Sequence, residues 1–168
     1  MSCVNIHDAF VPIYIRTLQN VSHLLSNGEI YAKEKGILEA EVMEWRLAPD
    51  MLPLSFQAQT VCNGAQNLAG VASGVIQPTM DDNEKTFAEL QAHIATSIDI
   101  LKKTTREQFE GRDTANIVLL GRTVKGLNYV QNTGLPNFFF HVSILYGILR
   151  SHGVPVGKAD YLRGGSGR

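Results

Sequence analysis

The sequence predicts an all-α protein, an antiparallel four-helix bundle, with a pattern consistent with a short β-hairpin before the last helix. Four stretches place apolar residues at the three- and four-residue spacings of one helical face. Capping residues, glycines and prolines bound these stretches, and a chain of 168 residues fits one compact domain. We therefore expect a single helical-bundle domain over residues 1–162, followed by a flexible tail over residues 163–168.

The first helix is predicted over residues 8–35, with Asp8 as its N-cap and Gly36 as its end. Pro12 has no backbone N–H to donate, so we expect the helix either to begin after Pro12 or to bend there. The apolar residues of this helix are Phe10, Ile13, Tyr14, Leu18, Val21 and Leu25. Residues 39–45 then predict a short helical turn, and residues 46–52 predict a connecting loop.

The second helix follows Asp50, which we expect to be its N-cap, and it has the cleanest helical period in the chain. Spacings of four and three residues alternate along Leu54, Ala58, Val61, Ala65, Leu68 and Ala72. Such a seam, with several small residues beside it, favours the packing of one helix against another. Cys62 lies in this helix without a basic neighbour in sequence, which indicates a buried core thiol rather than a nucleophile.

The third helix begins with a capping box, in which the side chains of Thr86 and Glu89 each accept from the other residue's backbone N–H. Its apolar stripe consists of Phe87, Leu90, Ile94, Ile98 and Leu101. His93 lies near the edge of that stripe, so we expect it to be a partly exposed surface histidine. Residues 117–120 and 123–125 flank Gly121 and Arg122, a combination consistent with a short hairpin.

The composition excludes several classes of protein. The net charge of −1, from 15 basic and 16 acidic residues, argues against a nucleic-acid-binding surface, which needs a basic excess. No run of about 18 apolar residues is present, so we expect no transmembrane helix and no membrane partner. The first residues lack the features of a secretory signal, and Cys3 and Cys62 are too few for a disulfide scaffold. These observations predict a cytoplasmic protein.

Residues 135–162 are the most informative stretch, because a helix can be followed in them from start to end. Pro136 suits the first helical turn, and Gly153 and Pro155 end the helix. His141 falls on the apolar stripe of this helix, and Asn137 lies one turn earlier on the same face. An ionisable group in that position needs a partner, and the partner determines what the group can do.

Polar residues near the inner helix faces form the candidate site, since no motif for zinc binding, phosphate binding or nucleophilic catalysis is present. They are His141, Asn137, Gln57 and Tyr14, with Asp50, Arg46 and Tyr146 as weaker members. In one interpretation His141 is a structural core residue paired with Asn137 or Gln57, because an unpaired buried ring costs about 1–3 kcal/mol. In the other, His141 is a general acid or base, since its ordinary pKa lies near about 6.5. Tyr14 is expected to pack rather than to transfer a proton.

The residues of this last stretch also resemble a known family. HVSILYGILRSHGVPVGKADYL looks like the closing helix of the DinB/YfiT-like bundle superfamily, whose members are often described as metalloenzymes. The segments RLAPDM, LPL and LPNFFFHVSILYGILRSHGVPVGKADYL are similar to a branch of bacterial and fungal proteins known as a domain of unknown function. The resemblance spans nearly the whole chain and implies the bundle fold, but it implies no reaction. Superfamily members are often homodimers, so the resemblance implies a homodimer here.

The resemblance also implies where a metal would bind. The metal-binding members use one histidine early in the second helix and two histidines, four residues apart, on the fourth. His141 matches the last of these, Asn137 stands at the earlier position of the fourth helix, and Gln57 or Gln59 stands near the position on the second. Neutral amides are poor ligands for transition metals, so we expect no metal cofactor. If a metal is bound, His141 and Asp50 are the expected ligands.

Three functions remain open from the sequence. The first is a metal-independent pocket for a small organic molecule, in which His141 is the acid or base of an isomerase, lyase or transferase type of reaction. Asn137, Gln57, Gln59 and Tyr14 would then bind the substrate. The second is a non-catalytic, dimeric binding or stress-associated protein in which His141 is structural. The third is a divalent-metal-dependent enzyme.

Overall fold

The computed structural model describes residues 5–75, 80–119 and 121–165 of the chain. The helices are α1 (Ile6–Lys35), α2 (Glu39–Met43), α3 (Leu54–Asn67), α4 (Phe87–Lys103), α5 (Gly126–Tyr129), α6 (Leu135–Ser151) and α7 (Lys158–Arg163). The two strands are β1 (Asn116–Leu119) and β2 (Arg122–Lys125). Single π-helical turns at Leu68–Ala72 and Val130–Gly134 extend α3 and precede α6, and Arg106–Phe109 forms a 3₁₀ turn after α4.

Four long helices, α1, α3, α4 and α6, form the bundle that the sequence predicts, and this confirms the expected fold class. Helix α3 packs against both α4 and α6, while α1 packs against α4 and carries α7 on its outer side. Every member of the predicted α3 seam is buried, as is Cys62. The core is therefore centred on α3, and side chains on its two flanks face different neighbouring helices.

The helix starts differ from the predictions at two places. Helix α1 begins at Ile6, because the side chain of Asn5 accepts a hydrogen bond from the backbone N–H of His7 at 2.9 Å; Asp8 lies in the first turn and is not the cap. Pro12 lies inside the helix on its exposed side, so the prediction that the helix begins after Pro12 is wrong. A carbonyl left without its helical N–H partner can bind water on that side.

The predicted N-cap of α3 is also wrong. Helix α3 begins after Pro53, whose backbone is extended, and Asp50 lies exposed in the preceding turn. The turn is closed by backbone hydrogen bonds, from Leu54 N–H to the Trp45 carbonyl at 2.9 Å and from Met51 N–H to the Ala48 carbonyl at 3.0 Å. The chain therefore enters α3 without a side-chain cap.

The capping box and the hairpin are present as predicted. Thr86 Oγ1 accepts from the backbone N–H of Glu89 at 3.2 Å, and Glu89 Oε2 accepts from the backbone N–H of Thr86 at 3.0 Å. Strands β1 and β2 pair antiparallel around Gly121, which has a left-handed φ of 75°. Leu120, the last residue of the first predicted strand, lies outside the described residues, as does Cys3.

The C-terminal helix α7 is fastened to α1. Asp160 Oδ1 lies 3.0 Å from His23 Nε2, and Asn20 Nδ2 donates to the Tyr161 carbonyl at 2.9 Å. The hydrogen bond from His23 holds the pKa of the Asp160 carboxyl below its usual range. Arg163 is the last residue of α7, and residues 166–168 of the predicted tail lie outside the described residues.

Among the described residues, no helix has both the length and the apolar character needed to cross a membrane.

Gly126 provides a test of how tightly the hairpin is joined to the bundle. A Cβ atom at Gly126 would overlap the backbone carbonyl oxygen of Arg112, which cannot move independently of the chain. We expect Gly126→Ala to lower the free energy of unfolding by about 2 kcal/mol or more, as overpacking does in tight sites. Urea titration followed by circular dichroism measures this change.

Gly147→Ala is the matched control, because a Cβ atom at Gly147 would make an ordinary contact of 3.4 Å with the exposed side chain of Leu47. Since alanine favours a helix interior over glycine by about 0.5–1 kcal/mol, this variant is expected to be at least as stable as the parent. Equal destabilisation by the two substitutions would contradict the packing described here.

Candidate functional site: an oriented histidine between α3 and α6

His141 on α6 is joined to Gln57 on α3 across the seam between the two helices. The Nδ1 atom of His141 lies 2.7 Å from Oε1 of Gln57. Gln57 is buried in the first turns of α3, and His141 is half-buried at the edge of the α6 stripe. Of the two partners that the sequence left open, Asn137 and Gln57, the structure therefore shows Gln57.

The orientation of the Gln57 amide determines which nitrogen of His141 carries the proton. Gln57 Nε2 donates to the backbone carbonyl of Leu52 at 2.9 Å, and a carbonyl can only accept. The amide oxygen of Gln57 must then face the ring, so Nδ1 of His141 carries a proton and donates it to Gln57. In the neutral ring, Nε2 is left with a lone pair that has no hydrogen-bond partner among the described residues.

The surroundings of the ring keep it neutral. Burial lowers the pKa of His141 below its ordinary value, because the charged form loses solvation. Phe140 and Phe56 pack edge-on against the ring, at centroid distances of 5.2 Å and 6.2 Å. Both phenylalanines are exposed, so an apolar surface lies beside the half-buried ring.

Arg46 holds the loop that carries the Leu52 carbonyl. Its guanidinium donates to the Met51 carbonyl at 2.6 Å and to the Glu44 carboxylate at 3.3 Å. The carbonyl of the next residue, Leu52, is the acceptor for Gln57. A hydrogen-bonded series thus runs from the residue 46–52 loop through Gln57 to His141, and the loop has a role in positioning the ring.

Asn137 is not beside His141 on the inner face, which corrects that prediction. Its side chain is exposed to solvent. Each residue advances about 100° around a helix, so Asn137 lies about 40° farther from the centre of the buried stripe than His141 does. His141 is at the edge of that stripe, and Asn137, one turn earlier in the same row of side chains, is beyond the edge and faces solvent. The stripe is made by Phe138, Val142, Leu145, Ile148 and Leu149.

The remaining candidates lie elsewhere. Tyr14 is buried in the core, where its ring stacks on Phe138 at a centroid distance of 4.1 Å, and burial raises the pKa of its hydroxyl. Asp50 is exposed and makes no hydrogen bond to His141 among the described residues. Gln59 faces α4 rather than α6, because its Nε2 donates to the Glu84 carboxylate at 3.0 Å. Of the predicted set, His141 and Gln57 are in direct contact.

These positions do not fit the three-ligand metal site that the superfamily resemblance implies. They supply a single imidazole, since the Gln57 oxygen is already hydrogen-bonded to it and Asn137 lies out on the surface. Two carboxamides and one imidazole are a weak donor set for a transition metal. What His141 offers at this position is therefore a neutral imidazole whose Nε2 has no hydrogen-bond partner among the described residues.

A second polar cluster on the other side of α3 was missed from the sequence. His93, expected to be partly exposed, is 1% exposed, and its Nδ1 lies 2.6 Å from Glu84 Oε1. The prediction is wrong because the chain before α4 folds over the α3–α4 seam and covers the ring. A row of three carboxamides at helical spacing lies on that side of α3: Gln59, Asn63 and Gln66. Polar side chains on a helix face that packs against other elements need hydrogen-bond partners there, so this row was the signal in the sequence.

Cys62 is a buried free thiol, as predicted. Burial raises the pKa of Cys62 to about 12, so the thiol is protonated at neutral pH and cannot act as a nucleophile.

Comparison with known proteins agrees with this fold. Residues 6–162 match the family described as a domain of unknown function, DUF1993. The chain is also similar to the crystal structure of a DinB family member from Shewanella denitrificans, with 31% identity and a TM-score of 0.89 over 93% of this chain and 90% of that one. No curated protein matches.

The proton position on His141 can be tested directly by NMR. We expect ¹⁵N shifts of a ring protonated at Nδ1 at neutral pH, and a pKa below about 6.5 because burial disfavours the charged form. Gln57→Leu removes the acceptor and leaves the Leu52 carbonyl unpaired, so the tautomer preference is lost and the free energy of unfolding falls by about 1–3 kcal/mol.

His152, half-buried against Trp45 with stacked rings at 4.4 Å, provides the comparison within the same spectrum. Its tautomer should not respond to Gln57→Leu. An Nε2-protonated His141 in the parent protein would contradict the hydrogen-bond assignment.

Proposed function

This chain belongs to the DUF1993 family of DinB-like helical bundles, and we propose from its geometry that His141 is a general base acting on a small organic molecule. The observation that carries the proposal is the hydrogen bond from Nδ1 of His141 to Gln57. It orients a neutral imidazole with the basic nitrogen unpaired. This arrangement requires no metal, and it belongs to reactions of the isomerase, lyase or transferase type that begin with removal of a proton.

The ligand would bind against the exposed rings of Phe56 and Phe140. Two exposed aromatic rings in contact with a base favour a small molecule with an aromatic or apolar portion next to the proton to be removed. Asn137, one turn along α6, presents an exposed carboxamide that would donate a hydrogen bond to charge developing on the ligand. Tyr14 and Gln59 have no part in this proposal, because they face the core and the α4 side.

A proton-abstraction probe tests the proposal without knowledge of the natural substrate. 5-Nitrobenzisoxazole is a small aromatic molecule whose ring opens when a base removes its C3 proton, with a visible colour change. We expect the parent protein to open it at least about 10-fold faster than His141→Ala does. This ratio is smaller than the roughly 100-fold or greater rate effect of a general base positioned for its natural substrate. The rate should fall as the pH drops through the lowered pKa of His141, because a protonated ring has no lone pair.

His152→Ala is the control for surface imidazoles and should leave the rate unchanged, since His152 is stacked on Trp45 away from this surface. If His141→Ala opens the probe as fast as the parent does, His141 is not a general base. Circular dichroism of each variant separates loss of the base from loss of the fold.

A second function is favoured by the apolar character of the same surface. Phe140 is 54% exposed and Phe56 is 36% exposed, and such rings are more typical of an interface than of open solvent. In this alternative the protein is a non-catalytic homodimer, the two rings pack against a second copy, and the His141–Gln57 hydrogen bond satisfies polar groups at the edge of the interface.

Oligomeric state distinguishes the two functions. If the surface is an interface, Phe140→Asp places a charge in it and should convert a dimer to a monomer in sedimentation experiments. Val118→Asp is the matched control, because Val118 is 74% exposed on the β-hairpin. A monomeric parent protein, or a Phe140→Asp variant that remains dimeric, excludes the interface function.

A further inference from the structure

Asp82, Glu84 and His93 form a compact group at the other seam of the bundle, between α3 and α4. One potential ligand atom from each residue lies within 4.8 Å of the other two. His93 is 1% exposed and the Glu84 side chain is 8% exposed, whereas Asp82 is exposed. The group therefore has a buried side and an open side, and it lies apart from His141.

Each member of the group is held by a carboxamide of α3 through the atom that a metal would not need. Gln59 donates to Glu84 Oε2 at 3.0 Å, and Asn63 donates to Asp82 Oδ2 at 2.8 Å. Gln66 Nε2 lies 3.2 Å from His93 Nε2. The atoms that these hydrogen bonds leave over are Glu84 Oε1 and His93 Nδ1, which lie 2.6 Å apart, and Oδ1 of Asp82. Outer hydrogen bonds of this kind orient the ligands of metal sites in proteins.

The charge of the group also calls for a cation. Neither Asp82 nor Glu84 forms an ion pair with a lysine or arginine among the residues that the structure describes. A buried carboxylate is costly without a counter-charge, and a bound cation would supply one. His93 Nδ1 and Glu84 Oε1 lie 2.6 Å apart, so a nitrogen and an oxygen ligand atom already face each other at the place where the ion would bind.

From these observations we propose that Asp82, Glu84 and His93 bind a divalent transition-metal ion of the zinc class. Imidazole with carboxylates suits such an ion, whereas Mg²⁺ and Ca²⁺ prefer oxygen ligands alone. Three protein ligands leave the exposed side for water, as in open zinc sites. Ligand atoms in a zinc site are about 3.3 Å apart, so the exposed Asp82 moves inward while the buried pair needs little change.

Binding has a definite proton balance. The Gln66 amide donates to His93 Nε2, so the proton of the neutral ring is on Nδ1 and is donated to Glu84. Zn²⁺ takes the lone pair of Nδ1 when this proton leaves to solvent, and Nε2 takes up a proton from solvent. Nε2 then donates to Gln66, whose amide turns by 180° to present oxygen instead of nitrogen. One proton is released and one is taken up, so the ring stays neutral and the group gains only the charge of the ion.

The test is titration of the chelator-treated full-length protein with ZnCl₂, followed by isothermal calorimetry and elemental analysis. We expect one zinc ion per chain with no net release of protons, so the heat of binding should not depend on the ionisation enthalpy of the buffer. MgCl₂ should produce no comparable binding. Substitution with Co²⁺ provides an independent readout, because its visible absorption depends on the ligand set.

The variants localise the ion. Asp82→Asn changes an exposed side chain and Glu84→Gln keeps the size and shape of the side chain, so both should fold, as circular dichroism will check. Each should weaken zinc binding at least about 10-fold, because each removes a carboxylate ligand. Gln66→Leu, which removes a positioning residue, is expected to weaken it by about 10–100-fold. Asp99→Asn, an exposed carboxylate on α4, is the matched control and should bind as the parent does.

The result that overturns the proposal is a native circular dichroism spectrum with no zinc bound, which would leave the His93–Glu84 pair as a structural ion pair. Unchanged affinity in both Asp82→Asn and Glu84→Gln would also overturn it, since the ion would then lie elsewhere. His141→Ala should retain full zinc affinity, because His141 is not among the proposed ligands. The test of the zinc site is therefore independent of the test of His141 as a base. Loss of zinc binding in His141→Ala would assign the ion to the other seam.

Discussion

The central constraint on this molecule is that helix α3 is buried on two sides and yet carries polar carboxamides. Its seam of small and branched residues packs against both α4 and α6, and Gln57 and Gln59, near the start of the helix, lie on these buried sides. A buried amide without partners is costly, so each one must find them in a neighbouring element. The partners found are His141 on the α6 side, and Glu84 on the α4 side.

The two polar centres differ because their amides do different things. At the α6 seam, the Gln57 amide accepts from Nδ1 of His141, and Nε2 of the ring has no partner among the described residues. Two exposed phenylalanines pack edge-on against the ring. At the α4 seam, three amides at helical spacing each fasten one member of a group that contains two carboxylates. The first arrangement supplies a neutral base. The second concentrates negative charge around a buried imidazole, which is the electrostatic requirement for binding a cation.

Much of the fold could be predicted because the signals that determine it are local. The alternating period of α3, the Thr86–Glu89 capping box and the glycine of the hairpin turn each depend on neighbours a few residues away. The predictions of Asp8 and Asp50 as N-caps were wrong because several nearby residues can begin a helix. Asn5, not Asp8, caps α1, and α3 begins after the backbone turn that ends at Pro53. The sequence alone does not rank such neighbouring candidates.

The candidate site was harder to predict because it depends on the edges of helical stripes. His141 lies at such an edge, and the structure puts its ring against Gln57, whereas Asn137 on the same row is already exposed. His93 lies at the edge of the α4 stripe and is buried, because residues 80–86 fold over it. A residue at the edge of a stripe can be buried or exposed, and its position around the helix does not determine which. The outcome depends on whether a segment outside its own helix covers it.

The choice of an amide as the partner of His141 has a chemical consequence. A carboxylate at position 57 would hold a positive charge on the ring, and an opposite charge at that distance raises a histidine pKa by about 1–3 units. The ring would then be protonated at neutral pH and its second nitrogen would have no lone pair. Gln57 orients the ring as a carboxylate would, but it adds no charge, so burial can lower the pKa. Its own NH₂ group is also needed for the Leu52 carbonyl, which a carboxylate would repel. The same residue type that makes this seam a poor metal site is therefore what favours the neutral form of its histidine, the form that the proposed base requires.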